Sequence, residues 1–188
     1  MPYLTKQLPT RHFWAIVIIE STNSDSLQFE TLMPLITLAT FINSSPEIVF
    51  DLSRSIEVHQ ESTAVTQEKA IAGRTSGLCE EGDLVTWEAI HLGVKQRLTV
   101  RISKMHRPFS FDDEMVRGAF KRMRHMHTFE PFDGGTIMSD HFEYQSPLGV
   151  LGKFADLLFL KKYMTNLLHE RNRVIKEKAE KLHHSYSG

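Results

Sequence analysis

The carboxyl-terminal stretch at residues 147–182 constrains the fold more than any other part of the chain. It begins with Ser146 and Pro147, a hydroxyl residue that can cap a helix and a proline that fits its first position, and no proline follows. Apolar residues then recur at steps of three and four, at Val150, Phe154, Leu157, Leu160, Met164, Leu167 and Ile175. We therefore predict one long amphipathic helix that buries a single stripe.

Such a helix needs a partner surface, and the preceding residues have the patterns of strands. An apolar, β-branched run predicts a first strand at residues 34–43. Ser45 and Pro46 predict a short helix at 45–54, and a second is expected at 56–63. Glycine-rich and polar turns separate six further predicted strands, at 68–72, 84–92, 95–106, 109–116, 120–130 and 136–145. The sequence thus predicts an α+β fold in which an antiparallel sheet of about seven strands packs on the last helix.

The size and composition indicate one ordinary globular domain. The chain has 188 residues, of which 41% are hydrophobic and 24% charged, and its formal net charge is -1. This balance gives no general field for nucleic acid or anionic lipid. The basic residues Arg117, Lys121, Arg122 and Arg124 are interpreted as solvated outer-face residues, so no nucleic-acid partner is expected. The oligomeric state stays open.

The amino-terminal residues fit poorly with the rest of the pattern. The apolar run at 13–19 is too short for a membrane span, and a polar breaker run follows at 21–26. We expect residues 1–32 to be an extension, with Met33 as a possible true start, and residues 33–183 to form the domain. The single cysteine, Cys79, excludes an internal disulfide within this chain and is compatible with a cytoplasmic location.

Strand alternation predicts which side chains face the helix, because alternate residues of a strand share a face. The predicted inner residues are Val85, Trp87, Ala89, His91, Leu98, Val100, Ile102, Phe109, Phe111, Asp113, Met115, Met123, His125, His127, Phe129, Met138, Asp140, Phe142 and Tyr144. In the first short helix, Ile48, Val49 and Leu52 are predicted to form the apolar face.

Five ionisable residues share this otherwise apolar face, namely His91, Asp113, His125, His127 and Asp140. An unpaired buried carboxylate costs several kcal/mol, so these groups need partners or solvent. One explanation is Asp–His pairing inside a filled core. The other, which we favour for five such residues together, is a wet or ligand-filled cavity.

Four stretches carry a resemblance to a known family: SPEIVFDL (45–52), VTWEA (85–89), DEMV (113–116) and SPLG (146–149). With the order of predicted elements, they resemble the START-like or SRPBCC superfamily of helix-grip proteins, which includes polyketide cyclases, dehydratases and lipid-binding domains. The likeness extends over residues 33–180 and is greatest to an uncharacterised bacterial ligand-binding branch. It implies a curved antiparallel sheet that grips the long helix around a deep apolar cavity. It transfers no catalytic set, because that branch has no motif to match residue by residue.

The leading functional hypothesis is binding of a small hydrophobic or amphipathic molecule between the sheet and the helix, without a cofactor. The candidate ligand-binding residues are Trp87, His91, Phe111, Asp113, His125, His127, Phe129, Asp140, Phe142, Phe154, Leu157 and Met164. The alternative is an enzyme that cyclises or dehydrates a polyketide-like or other carbonyl substrate, with His125, His127 or Asp113 as catalytic candidates.

A metal site is a third and weaker hypothesis. His125 and His127 lie two residues apart on one strand face, and His91 or Asp140 would supply a third ligand. Because two histidines at this spacing are a weak signal, we expect no metal.

Overall fold

The computed structural model describes residues 34–146 and 159–186. Its elements, in chain order, are β1 (Leu35–Ile42), α1 (Pro46–Ser53), α2 (Ile56–Ser62), β2 (Lys69–Gly73), β3 (Leu84–His91), β4 (Val94–His106), β5 (Ser110–Arg117), β6 (Arg122–Phe132), β7 (Gly135–Gln145) and α3 (Lys161–Tyr186). The predicted α+β class is confirmed, and each strand lies within two residues of its predicted bounds. The extension at 1–32 and the helix start with Val150, Phe154 and Leu157 lie outside the described residues.

The seven strands form one antiparallel sheet in the order β1-β7-β6-β5-β4-β3-β2. Hairpins connect β2 through β7 in chain order. Strand β1 pairs with β7 and forms the edge of the sheet opposite β2. Helix α3 packs against β1, α1 and α2. The two short helices therefore lie between the first strand and the rest of the sheet in sequence, but beside α3 in space.

A serine between the two short helices accounts for the break between them. Pro46 occupies the first turn of α1, where its missing N–H costs no hydrogen bond. Ser55 then caps α2, because its hydroxyl accepts a hydrogen bond from the Val58 amide at 3.3 Å. Arg54, just before this cap, is buried and donates to the Cys79 carbonyl oxygen at 2.8 Å. This contact ties α1 to the loop that precedes β3.

The predicted inner face is confirmed for most of its residues. All the predicted inner residues of β6 and β7 are buried, and those of β3 and β4 are buried or half-buried. Phe109 is an exception, since it precedes the first residue of β5 and is 54% exposed. Asp112 alternates with these inner residues and lies on the outer face of the sheet, yet it is buried, because Arg124 covers it with a hydrogen bond of 2.7 Å.

The buried stripe of α3 differs from the predicted one. Its buried residues are Leu168, Arg171, Asn172, Val174, Ile175 and Ala179. Only Ile175 belongs to the predicted apolar stripe, while Leu160, Met164 and Leu167 are half-buried. The reason is that two polar residues occupy buried positions, where they meet partners on the sheet. Within residues 34–146 and 159–186, no helix has both the length and the apolar composition that crossing a bilayer requires.

Candidate functional site

Four of the five predicted ionisable residues converge at the centre of the inner face. Antiparallel pairing of β5 with β6 sets Asp113 opposite His125, and pairing of β6 with β7 sets His127 opposite Asp140. Side chains that are directly opposite on one face lie about 5 Å apart at Cβ, within reach of one another. The register of three neighbouring strands therefore assembles one polar cluster, which we define as Asp113, His125, His127, Asp140 and the two helix residues described below.

The carboxylate of Asp140 is the centre of this polar cluster. It has no exposed surface, and its Oδ1 atom lies 2.9 Å from His125 Nε2 and 2.9 Å from His127 Nδ1. The amide of Asn172 donates to Oδ2 at 2.6 Å, and Arg171 Nη1 lies 3.5 Å from Oδ1. Asp140 thus meets the requirement that a buried carboxylate be paired and hydrogen-bonded.

The helix residues Arg171 and Asn172 are the part of the cluster that the sequence analysis missed. Arg171 also donates from Nη2 to the carbonyl oxygen of Ser53 at 3.0 Å, so that one side chain joins α3, β7 and the end of α1. A signal was present in the sequence. Both residues lie three or four positions from Leu168 and from Ile175, and they therefore fall on the same helix face as these buried residues.

His127 connects the buried and the accessible ends of the cluster. Its ring has no exposed surface and packs on Phe111 with ring centroids 4.5 Å apart. Its Nε2 atom lies 3.2 Å from Asp113 Oδ2, while Nδ1 faces Asp140. The side chain of Asp113 keeps 22% of its surface exposed. A bound molecule would therefore meet Asp113 before either histidine.

The surroundings of the two histidines shift their pKa values in opposite directions. Burial and the neighbouring His127 lower the pKa of His125 to about 4, although Asp140 acts in the other direction. Burial and Arg171 also disfavour the charged form of His127, but hydrogen bonds to Asp113 and Asp140 outweigh them and raise its pKa. Burial disfavours the ionised form of both aspartates, yet the histidine contacts lower the pKa of Asp113 and hold that of Asp140 well below its usual range. The cluster therefore favours a neutral His125, whereas the two carboxylates favour the charged form of His127.

Asp113 and Arg171 border a pocket of about 30 Å³ between the sheet and the helices. The other residues that line it are Ser53, Arg54, Ser55, Ile56, His59, Cys79, Val85, Trp87, Val100, Ile102 and Phe111. This volume suits about one or two water molecules, whereas pockets for small organic ligands measure about 300–1,000 Å³. This pocket is therefore much smaller than the deep apolar cavity that the family resemblance implied.

Aromatic packing explains why the pocket is small. Phe50 of α1 is buried and meets Phe111 and Phe129 edge to face, with ring centroids 5.6 Å and 5.4 Å apart. The predicted apolar face of α1 omitted this residue. Phe129 and Phe142, both predicted to contact a ligand, are buried within the same core.

The remaining predicted site residues lie elsewhere. His91 is separate from the polar cluster: its Nδ1 atom lies 2.9 Å from the hydroxyl of Tyr163 on α3, and burial lowers its pKa despite the nearby Glu68. Trp87 stacks on His59, with ring centroids 4.0 Å apart, at the pocket. Met164 is half-buried against the core. Phe154 and Leu157 lie outside the described residues.

A pH titration of stability tests the assigned protonation states. For His125, the folded pKa of about 4 lies below the unfolded value of 6.5, so the unfolded chain binds the extra proton between these pH values. We expect the free energy of unfolding to fall by on the order of 3 kcal/mol as the pH is lowered from 6.5 to 4. His127 acts oppositely: its raised pKa gives stability that is present below pH 6.5 and lost as the pH rises through its folded pKa.

Urea unfolding in a chelator, repeated across this pH range, is the measurement. The variant His125→Gln should lose most of the acid-side slope, while the exposed His106→Gln, at the end of β4, should keep it. An unchanged slope in His125→Gln would show that the acid sensitivity arises elsewhere.

Comparison with solved structures identifies the fold. A protein from Thermus thermophilus superposes with a TM-score of 0.64 at 18% identity, over 78% of this chain and 97% of that chain. A START superfamily protein from Mycobacterium smegmatis gives 0.61 at 12%, over 79% and 98%. A major latex-like protein from Panax ginseng gives 0.59 at 14%, over 79% and 98%. No family model matches the sequence, and no curated protein matches it significantly. The chain therefore has the START-like helix-grip fold that the sequence resemblance implied.

Proposed function

We propose that the protein binds a small amphipathic molecule between the sheet and α3, with the polar group of that molecule at Asp113. The observation that carries this proposal is the position of Asp113, the partly exposed member of a buried charged cluster, in the wall of a pocket. A carboxylate held ionised beside a small space accepts a hydrogen bond from a hydroxyl or amino group. Arg54 and Arg171 line the same pocket and favour an electron-rich atom there.

Partly buried apolar side chains elsewhere on the core would contact the rest of such a molecule. Five such side chains pack against the core and remain partly buried. They lie on the inner face of the sheet, in the β5–β6 connection, and just before or in the first turn of α3, and they are Leu98, Met115, Phe120, Leu160 and Met164. Covering partly exposed apolar area gains about 25 cal/mol per Å² removed from water. A ligand with a polar head and an apolar body therefore matches the two kinds of surface, and its head would replace water in the pocket.

A displacement titration tests this proposal on the full chain in the presence of a chelator. A fluorescent naphthalene sulfonate dye serves as the reporter, and decanol and its methyl ether serve as competitors that differ in one hydroxyl donor. We expect decanol to displace the dye more strongly than the ether. Asp113→Asn should weaken decanol binding by about 10-fold, because a hydrogen bond to a charged group contributes about 1.5–3 kcal/mol.

Glu114 provides the matched control, since it is the next residue of β5 and its carboxylate is on the outer face, 43% exposed. Glu114→Gln should bind decanol as the native chain does. Absence of dye binding, or equal behaviour of the two variants, would contradict the proposal.

An enzyme that acts on a carbonyl substrate is the second candidate. It is favoured by the continuous hydrogen-bonded chain from Asp140 through His127 to Asp113, which ends at the pocket. His127 is fully buried with both ring nitrogens engaged, so Asp113 would be the group that touches a substrate and His127 a positioning residue. The lowered pKa of Asp113 makes it a weak base at neutral pH, and for this reason binding is the better supported function.

A further inference from the structure

We infer that Asp113, His125 and His127 form a binding site for a divalent metal ion of the zinc type. One carboxylate oxygen and one ring nitrogen from each histidine all lie within 4.8 Å of one another. His127 Nε2 and Asp113 Oδ2 are 3.2 Å apart. Two ligand atoms that each lie about 2.0–2.2 Å from a tetrahedral zinc ion are separated by about 3.4 Å, so this pair needs little movement to share an ion. The third ligand is Asp113, whereas the sequence analysis named His91 or Asp140.

Asp140 has the role of an orienting carboxylate in this site. Its Oδ1 atom accepts from Nε2 of His125 and from Nδ1 of His127, both at 2.9 Å. These bonds orient both rings, as carboxylates behind metal-bound histidines do. The remaining nitrogen of His125 then has a lone pair, and an ion at His127 Nε2 would displace the proton that this nitrogen shares with Asp113. Among the described residues, no group hydrogen-bonds the second nitrogen of His125. A buried imidazole with one orienting partner and one available lone pair has the arrangement of a metal ligand.

The charge of the cluster is also suited to a cation. The fully buried Asp140 and the partly exposed Asp113 face one guanidinium, that of Arg171, so one negative charge is left to compensate. A proton on a histidine can do this, and so can a divalent ion that carries a bound hydroxide or another anion. The pocket beside Asp113 has room for such a small ligand in the fourth coordination position. Three protein ligands and one open position are the arrangement of reactive zinc sites.

The donor set limits which ions fit. Two imidazole nitrogens and one carboxylate oxygen favour borderline ions such as Zn²⁺ and Co²⁺ over Mg²⁺ or Ca²⁺, which prefer all-oxygen sites. The inference does not depend on the proposed binding of an organic molecule. The two are separated by testing the ion without any organic ligand and the organic ligand in the presence of chelator.

The experiment uses the full chain, purified without a histidine tag and stripped with a chelator. Co²⁺ is added and the visible d–d absorption is recorded, after which Zn²⁺ is titrated to displace it. Equilibrium dialysis with elemental analysis gives the Zn²⁺ stoichiometry. We expect one ion per chain and intense bands typical of four- or five-coordinate Co²⁺.

Variants locate the ion. Asp113→Asn and His125→Gln should each weaken Zn²⁺ binding by more than about 100-fold, since loss of an orienting partner alone weakens metal sites about 10–100-fold. Asp113→Glu, which keeps a carboxylate, should recover part of the affinity. Because Asp113 is partly exposed, Asp113→Asn is expected to remain folded even if His125→Gln does not, and far-ultraviolet circular dichroism checks this.

Two histidines near the end of α3, His183 and His184, provide the control for adventitious binding. The double variant His183→Gln with His184→Gln should retain the ion and its spectrum. Absence of bound ion, loss of binding only in this double variant, or full affinity in Asp113→Asn would each overturn the inference.

Discussion

Replacement of Asp140 with alanine is expected to lower the free energy of unfolding by about 3–5 kcal/mol, a large part of the stability of a domain of this size. The carboxylate accepts from or pairs with His125, His127, Arg171 and Asn172, and it has no exposed surface. Its removal leaves His127 and the charged Arg171 buried without their common partner. The cost of stranding these groups exceeds the net contribution of the hydrogen bonds themselves.

Urea unfolding followed by circular dichroism measures this effect at neutral pH in a chelator. His141→Ala is the matched control, because His141 is the next residue of β7 and points to the opposite face. We expect that variant to change stability by less than about 0.5 kcal/mol. A loss below about 1 kcal/mol for Asp140→Ala would show that the cluster is solvated and does not hold α3 on the sheet.

The composition of one face of the sheet was predictable from the sequence, whereas distances across it were not. Alternation has a period of two residues whatever the register, so Asp113, His125, His127 and Asp140 were all placed on the inner face. Which of them touch depends on strand pairing. His91 shares that face but belongs to β3, which β4 separates from β5. At about 4.8 Å per strand, this puts it beyond direct contact with Asp113, and it pairs with Tyr163 instead.

The helix contribution was missed for a different physical reason. Hydropathy marks apolar residues as buried, so it places Arg171 and Asn172 in solvent. They are buried because Asp140 compensates them, and that partner becomes known only when α3 is docked on β7. A charged residue between two buried helix positions can therefore be predicted to be buried only when the facing sheet carries an opposite charge that needs a partner.

Close packing around Phe50 leads to the second large prediction: Phe50→Ala should lower the free energy of unfolding by about 3–5 kcal/mol. Phe50 is 1% exposed, packs edge to face with Phe111 and Phe129, and lies under the guanidinium of Arg54 at 5.4 Å from its ring centroid. Truncation loses the transfer free energy of the ring and leaves a cavity that rigid aromatic neighbours fill only in part. Phe109→Ala, at a position 54% exposed, should cost less than about 1 kcal/mol.

The Phe50→Ala variant also tests whether the native interior is packed or already contains an apolar cavity. If Phe50 fills the space that a helix-grip cavity would occupy, its removal opens an apolar void next to the pocket, and such a void stays dry and accepts small apolar molecules. Benzene should therefore raise the melting temperature of Phe50→Ala and leave that of the native chain unchanged, since a ligand stabilises only the state that binds it. Equal stabilisation of both proteins would mean that the native interior already admits benzene, and that the aromatic rings of α1, β5 and β6 do not close it.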